Sequence, residues 1–127
     1  MEYVMKRLLA EVSFEEALRR TREALFAEGF GIPTEMDTQA IFRQKLLKET
    51  PARVILGACY ATVAFEALQQ EPDIAALLPC NVVVRDTEEG TEVTAILPTA
   101  LFTLTGQVSS DHAIAIENRL RAVLASL

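Results

Sequence analysis

Residues 81–97, NVVVRDTEEGTEVTAIL, contain the pattern that decides the fold. Asn81 to Asp86 and Thr91 to Leu97 both read as strands. The four residues between them, Thr87-Glu88-Glu89-Gly90, end on a glycine that is suited to a positive φ angle. The stretch therefore predicts two antiparallel strands joined by a short turn, and the rest of the fold can be built outward from it.

A predicted strand and helix lead into this hairpin. Arg53 to Cys59 is expected to be a buried strand, and about Ala61 to Gln70 a helix. Pro72 opens a second short helical turn, which must stop near Leu78 because Pro79 disfavours helical geometry in the residue before it. Two helical pieces therefore connect one strand to the next, and they permit an outward leg and a return leg.

The N-terminal part predicts a strand and the most clearly marked helix of the chain. Tyr3 to Ala10 reads as the strand. Ser13 is expected to cap the helix, and Glu16 to complete the reciprocal pair of a capping box. Gly29 ends the helix, whose inward-facing residues recur at helical spacing: Phe14, Leu18, Thr21 and Leu25.

Residues 30–37 alternate in side-chain character, as the residues of a strand do. Pro33 cannot donate to a ladder of hydrogen bonds, so we expect this strand at an edge of the sheet. Thr38 is then expected to cap a short helix that runs through Leu47.

The last helix completes the predicted fold. It begins near Ser110 or Asp111 and places four apolar residues along one side: Ile116, Leu120, Val123 and Leu127. The resulting order, β-α-β-(short α)-β-α-β-β-α, joins some strands by helices and others by a hairpin. It predicts a single α+β domain over residues 1–127, with one mainly antiparallel sheet and helices packed on one face.

The composition limits the partners of the chain. Half of its 127 residues are apolar, so we expect one buried core and some apolar surface that a homodimer interface would cover. The net charge of −6 arises in residues 61–127, which carry three Lys and Arg against nine Asp and Glu. Without a basic stripe to displace counterions from phosphates, neither nucleic acid nor an anionic membrane surface is an expected partner.

The apolar runs and the cysteine count predict the location of the protein. Lys6 and Arg7 interrupt the opening residues before an export signal can form. The longest apolar run, Val54 to Phe65, is shorter than the ~20 residues that cross a bilayer. Two cysteines are too few for a disulfide-stapled secreted scaffold. We therefore expect a cytoplasmic protein with both thiols reduced.

Most motifs that carry chemistry are missing from the sequence. Gly29-Phe30-Gly31 follows a helix and enters a strand, which favours a helix C-cap over a dinucleotide-binding turn. His112 is the single histidine, expected in the exposed first turn of the last helix. Glu35 and Asp37 share a strand face about 7 Å apart, but charges on an edge strand also prevent unwanted pairing. No catalytic residue or cofactor is therefore assigned.

Cys59 and Cys80 are the main candidates for a functional site. Cys59 ends a predicted strand directly before a helix, where helix dipoles stabilise a thiolate, and Cys80 starts the next strand after Pro79. If the connection returns to the end it left, the strands are antiparallel and the thiols lie side by side. If the connection is a single crossover, the strands are parallel and the thiols lie at opposite ends. Buried structural cysteines are the alternative to a site.

The residues of this corner form the predicted site. The ligand-binding candidates are Gly57, Cys59, Tyr60, Pro79, Cys80 and Asn81. Cys59 and Cys80 are also the metal candidates, since two thiolates suit Cu(I) or Zn²⁺, although zinc normally takes four ligands.

The same segments resemble the bacterial and archaeal family called domain of unknown function 302. The resemblance rests on LGAC at residues 56–59, EAL at residues 66–68 and LLPCNVVV at residues 77–84, and it spans essentially the whole chain. It implies a β-α-β4-α fold, similar in layout to the TATA-binding-protein fold, and homodimers, but no reaction. The chain departs from the family at Tyr60-Ala61, where members commonly carry Asn-Pro.

Two functions compete on these grounds. The first is a non-catalytic homodimeric module that binds a small ligand or a partner protein. The second is a thiol-based soft-metal-binding or redox protein that uses Cys59 and Cys80. A hydrolase or transferase that uses Glu35, Asp37 or His112 ranks third.

Overall fold

The hairpin lies within a five-stranded sheet in the computed structural model of the protein, which describes residues 2–105 and 110–127. The strands are β1 (Val4–Ala10), β2 (Gly31–Asp37), β3 (Arg53–Cys59), β4 (Cys80–Thr87) and β5 (Gly90–Ile96). The helices are α1 (Phe14–Ala27), α2 (Thr38–Leu46), α3 (Ala61–Gln70), α4 (Pro98–Phe102) and α5 (Ser110–Ser126), and a 3₁₀ helix spans Pro72–Leu77. In the described ranges, none of the helices combines the length and apolar character needed to cross a membrane.

The strands have the spatial order β1-β5-β4-β3-β2, and each neighbouring pair is antiparallel. This arrangement confirms the predicted α+β class. β2 lies at one edge of the sheet, and its ladder with β3 is irregular between Gly31 and Thr34. Both features suit Pro33, which lacks the N–H that a central strand would have to donate.

Alternate residues of the strands form the buried face of the sheet. Leu56 pairs with Val82 across β3 and β4, and both side chains are fully buried. α1 and α5 pack on this face, where they bury Leu25 and Leu120. The opposite face keeps side chains such as Ile55 half-buried. Helices therefore cover one face, as the sequence predicts.

A smaller apolar cluster fills the end of the sheet where β3 stops. α3, the 3₁₀ helix, α4 and α5 each contribute one buried residue to it: Ala67, Ile74, Phe102 and Ala113. α4 is absent from the sequence-based prediction, although Pro98 at its start is a typical first residue of a helix.

The start of α1 differs in part from its prediction. Ser13 caps the helix, because its Oγ accepts a hydrogen bond from the Glu16 N–H at 3.2 Å. The predicted reciprocal arm of the capping box is wrong, since the Glu16 carboxylate accepts hydrogen bonds from Arg19 and Arg20 instead. These guanidinium partners lower the pKa of Glu16 to about 2.

The cap of α2 is Asp37 and not Thr38. The Asp37 carboxylate accepts a hydrogen bond from the Ala40 N–H at 3.0 Å, while Thr38 is the first helical residue. The helix ends at Leu46, because Leu47 adopts a left-handed conformation with a φ of 55°.

Candidate functional site

β3 and β4 bring both cysteine-containing segments to one corner of the sheet. The strands are antiparallel, and Ala58 is the direct partner of Cys80. The connection through α3 and the 3₁₀ helix therefore returns to the end of the sheet that it left. Of the two arrangements considered from the sequence, the structure has the one in which Cys59 and Cys80 are close.

A cavity of about 230 Å³ lies against this corner. Its wall is formed by the ends of β2, β3 and β4, together with residues of α3, α4 and α5. α3 contributes Val63, Ala64 and Ala67, and two further apolar contributions come from Phe30 and Phe102. The wall is therefore assembled from segments that are far apart in sequence and is mainly apolar.

Gly57 gives the cavity wall part of its shape. A Cβ on Gly57 would overlap Thr34 Oγ1 and would lie 2.5 Å from Pro79 Cγ. Only glycine leaves space for these two side chains, and both Thr34 and Pro79 line the cavity. Gly57 thus shapes the wall without lining it.

The two thiols differ in their surroundings. Cys80 is 5% exposed, and burial, assisted by the neighbouring Cys59, raises the pKa of the Cys80 thiol to about 11. Cys59 is half-buried and also borders a shallow groove outside the cavity, which Gly31 and Ala61 line as well. Cys59 therefore lies between the groove and the cavity, whereas Cys80 is a neutral thiol within the cavity wall.

The register of the strands makes the two cysteines diagonal neighbours. Because Cys80 is opposite Ala58, the Cα atoms of Cys59 and Cys80 are about 6 Å apart by strand geometry. Successive side chains of a strand point to opposite faces, so the two thiols leave the sheet on different sides. Both cysteines are free. Cys59 and Cys80 are therefore diagonal neighbours on adjacent strands and not a directly opposed cross-strand pair.

This corner supplies two soft donors to any metal ion. Among residues 2–105 and 110–127, no three His, Cys, Asp or Glu side chains cluster as a metal site. A metal bound by both Cys59 and Cys80 would therefore have two ligands from one chain, and one of the two side chains would have to rotate toward the other, because they leave the sheet on different sides. Such a set suits Cu(I), whereas zinc would need further ligands from another source.

Tyr60 lines the cavity at the start of α3. It is the N-cap residue, but its side chain makes no capping hydrogen bond. The ring instead packs edge-on against Phe30, with 5.6 Å between centroids, and the Arg119 guanidinium lies 4.5 Å from the ring centroid. Gly29 permits this placement, because a Cβ there would lie 2.9 Å from the ring. No side chain therefore caps the N-terminus of α3.

The third-ranked candidates make structural contacts outside the cavity wall. His112 Nε2 lies 2.7 Å from Glu66 Oε2, and the side chain is 18% exposed, so the predicted exposed position of His112 is wrong. Its Nδ1 is buried without a hydrogen-bond partner. Glu35 forms an ion pair with Arg22 of α1, and Asp37 caps α2. These carboxylates therefore have structural roles.

Four of the six predicted ligand-binding residues line the cavity, namely Cys59, Tyr60, Pro79 and Cys80. Gly57 does not line the cavity but leaves room for Thr34 and Pro79, which do. Asn81, the partner of Gly57 on β4, is exposed. Phe30, Phe102 and Ile116 also line the cavity but are not among the residues predicted from the sequence. Helical and strand periodicity marks such residues as core-forming, but it does not bring them next to Cys59.

The family model and the solved structure that match this chain both belong to one family. A family model described as domain of unknown function DUF302 matches residues 5–127. The chain is similar to an uncharacterized conserved DUF302 protein from Bacillus stearothermophilus, whose crystal structure aligns with a TM-score of 0.88 at 25% sequence identity. That alignment covers 99% of this chain and 98% of the other. No curated protein matches the chain. Because the family model covers nearly all of the sequence, the chain belongs to the DUF302 family.

Proposed function

We propose that this protein is a non-catalytic module that binds a small apolar molecule in the cavity beside Cys59 and Cys80. The cavity carries the proposal. Its volume of about 230 Å³ exceeds the ~150 Å³ of an engineered apolar cavity that stays dry and binds benzene. It is below the roughly 300–1,000 Å³ of sites for drug-sized ligands. A molecule somewhat larger than benzene therefore fits it best.

The chemistry of the wall supports an apolar ligand. Residues such as Val63, Ala64 and Phe102 offer apolar surface, whose burial contributes about 25 cal/mol per Å². The polar side-chain atoms of the wall belong to Thr34, Tyr60 and the two cysteines. A ligand with an apolar body and few polar groups matches this balance.

Thermal unfolding with toluene as the probe tests the proposal. A ligand at a hundred times its dissociation constant stabilises the folded state by about 2.7 kcal/mol, which raises the Tm of a domain of this size by roughly 10 °C. The variant Ala64→Phe fills the cavity and should lose the shift. Ala115→Phe, on the exposed side of α5, should keep it. A wild-type Tm that toluene and similar probes leave unchanged would contradict the proposal.

A second candidate function is binding of a soft monovalent cation such as Cu(I). The observation in its favour is that Cys59 and Cys80 border the same cavity as diagonal neighbours. Titration of the reduced protein with Ag(I), a redox-stable substitute for Cu(I), should give one ion per chain. Cys59→Ser and Cys80→Ser should each abolish binding if the two thiols share the ion. Equal binding by both variants would mean that each thiol acts alone.

We also propose that the protein is a cytoplasmic homodimer. The sheet face opposite α1 and α5, called the open face below, exposes 43% of Leu8 and 45% of Met36. Part of its charge is already paired within the chain, since Glu92 lies 2.8 Å from Arg85 and 3.9 Å from Lys6, whereas Arg53, directly opposite Arg85, has no ion-pair partner among the described residues. A second copy could therefore cover Leu8 and Met36 together with the paired charges, while Arg53, at the start of β3, stays outside the interface.

A further inference from the structure

The two edges of the sheet differ in how they are protected against pairing with a further strand. At one edge, β2 carries Pro33 and the carboxylates of Glu35 and Asp37, and its register is irregular. At the other edge, β1 contains neither proline nor a carboxylate, and its register with β5 is unbroken from Val4 to Ala10. Proteins usually block exposed strand edges with the features that β2 has. β1 is therefore the edge that remains open to a further strand.

The backbone of β1 directs alternate residues away from β5. The Leu97 N–H donates a hydrogen bond to the Tyr3 carbonyl at 2.8 Å, so the backbone groups of Tyr3 face β5. This direction alternates along an antiparallel strand, so every second residue after Tyr3 faces β5 and the residues between them face outward. The outward-facing residues are Val4, Lys6, Leu8 and Ala10, whose N–H and C=O groups form no hydrogen bond with another residue of the described ranges. The outer edge of β1 thus presents an unused row of backbone donors and acceptors.

A groove of about 540 Å³ follows the outer edge of β1. Three consecutive strand residues line it, Val4, Met5 and Lys6, although successive side chains of a strand point to opposite faces of the sheet. The groove therefore lies beside the strand, where an added strand would lie. Its other lining residues are Glu2, Leu97 and Arg121. Two cations and one carboxylate line the groove, so its charge favours an acidic ligand.

Both cations of the groove are available to such a ligand. Lys6 Nζ lies 3.9 Å from Glu92, which has a shorter contact with Arg85 at 2.8 Å. Arg121 lies 3.3 Å from Glu117, which also accepts two hydrogen bonds at the start of α4. Each carboxylate therefore keeps a partner when its cation turns toward a ligand. A lysine on an edge strand discourages pairing with most strands, and here it selects an acidic one.

We propose that the outer edge of β1 binds an extended, acidic segment of a partner protein, which adds a sixth strand to the sheet. Main-chain hydrogen bonds supply the affinity of such an added strand, and side chains supply its selectivity. Lys6 and Leu8 share a face of β1, so the segment carries an acidic residue opposite Lys6 and an apolar residue opposite Leu8. This surface goes beyond the proposed ligand site, because it lies at the edge of the sheet opposite β2. A second copy that covers the open face leaves the edge accessible, since the hydrogen bonds of a sheet lie in its plane.

NMR titration of the ¹⁵N-labelled protein tests the proposal, with the peptide acetyl-Thr-Val-Thr-Glu-Val-Val-Thr-amide as the probe. Antiparallel to β1, this peptide sets its glutamate opposite Lys6 and its first valine opposite Leu8. We expect saturable shifts of the amide signals of Lys6 and Leu8, and none along β2. N-methylation of the second, fourth and sixth peptide residues should weaken binding by about tenfold or more, because their N–H groups face β1. N-methylation of the third and fifth residues, whose N–H groups point away, is the matched control and should leave the affinity within about twofold.

Two variants of Lys6 separate the backbone contribution from the charge. Lys6→Pro removes an outward N–H and leaves the ladder with β5 intact, so it should fold and should bind the peptide about tenfold or more weakly. Lys6→Gln keeps the N–H and removes the charge, which should weaken binding roughly twofold to fivefold. Urea denaturation shows whether Lys6→Pro is folded. If it is not, the two N-methylated peptides decide the question on the wild-type protein.

Three results would overturn the inference. The first is equal affinity of the two N-methylated peptides, and the second is peptide-induced shifts along β2 as large as those at Lys6 and Leu8. The third is a dependence of the Lys6 and Leu8 signals on protein concentration without peptide, absent from Lys6→Pro. In that case a second copy, and not a partner protein, occupies the outer edge of β1.

Discussion

At the residue scale, Gly57 is the position where one added carbon has the largest structural consequence. A Cβ there overlaps Thr34 and lies 2.5 Å from Pro79, whereas a Cβ on Gly31 would meet only Cys59 O, at 3.9 Å. We expect Gly57→Ala to destabilise the protein by about 1 to 3 kcal/mol through overpacking. Gly31→Ala should stay within about 0.5 kcal/mol of the wild type. Urea denaturation measures both, and equal stabilities would contradict the described packing.

The buried thiol of Cys80 makes a prediction about alkaline pH. Burial raises its pKa from 9.0 to about 11, so between these values the unfolded chain releases the proton while the folded chain keeps it. Stability should therefore fall as pH rises through this interval, by up to about 3 kcal/mol at 1.36 kcal/mol per pKa unit. Cys80→Ala should remove this contribution to the slope of stability against pH, which urea denaturation at a series of pH values measures. A variant with the wild-type slope would show that Cys80 ionises freely.

The sequence identifies Cys59 and Cys80 as candidates but not their relation. Each residue borders a predicted strand end, and that placement is correct. The register that sets Cys80 against Ala58, and so turns the thiols to different faces, depends on how the chain returns from α3. The contribution of Phe30 and Phe102 to the cavity depends on tertiary packing. Local patterns contain neither piece of information.

At the scale of elements, the position of Asp37 as the N-cap of α2 gives its carboxylate a structural role in place of the catalytic role considered from the sequence. Asp37 accepts the hydrogen bond from the Ala40 N–H, and we expect Asp37→Ala to cost about 1 kcal/mol. Asp37→Asn keeps a capping oxygen and should cost much less. Chemical denaturation of the two variants measures the difference. If both lose the same stability, the charge of Asp37 and not its cap is what matters.

The elements that the sequence predicts well have strong local signals. The β4–β5 hairpin, α1 with its Ser13 cap, and the edge position of β2 follow from turn residues, periodicity and Pro33. α4 was missed because its five residues are too few to show helical periodicity. The wrong cap of α2 has a similar cause, since Asp37 and Thr38 are adjacent residues that both cap helices well.

At the scale of the whole molecule, the proposed homodimer is open to a direct test. Leu8 lies on the open face, and Leu8→Glu would place a charge in the interface. We expect this variant to shift the protein from dimer to monomer in analytical ultracentrifugation. Ile114→Glu, on an exposed position of α5 with similar 47% exposure, is the control and should remain dimeric. A dimer that survives Leu8→Glu and dissociates with Ile114→Glu would place the interface on the helical side.

The most direct test of the central claim is a crystal structure of the protein under xenon pressure. Xenon occupies dry apolar cavities, so we predict a xenon atom in the 230 Å³ cavity, between α3 and Phe102, and none there in Ala64→Phe. Strong density at that position would establish an accessible apolar site beside Cys80. A cavity that holds ordered water, or that excludes xenon in the wild-type protein, would contradict the proposal that this corner binds an apolar ligand.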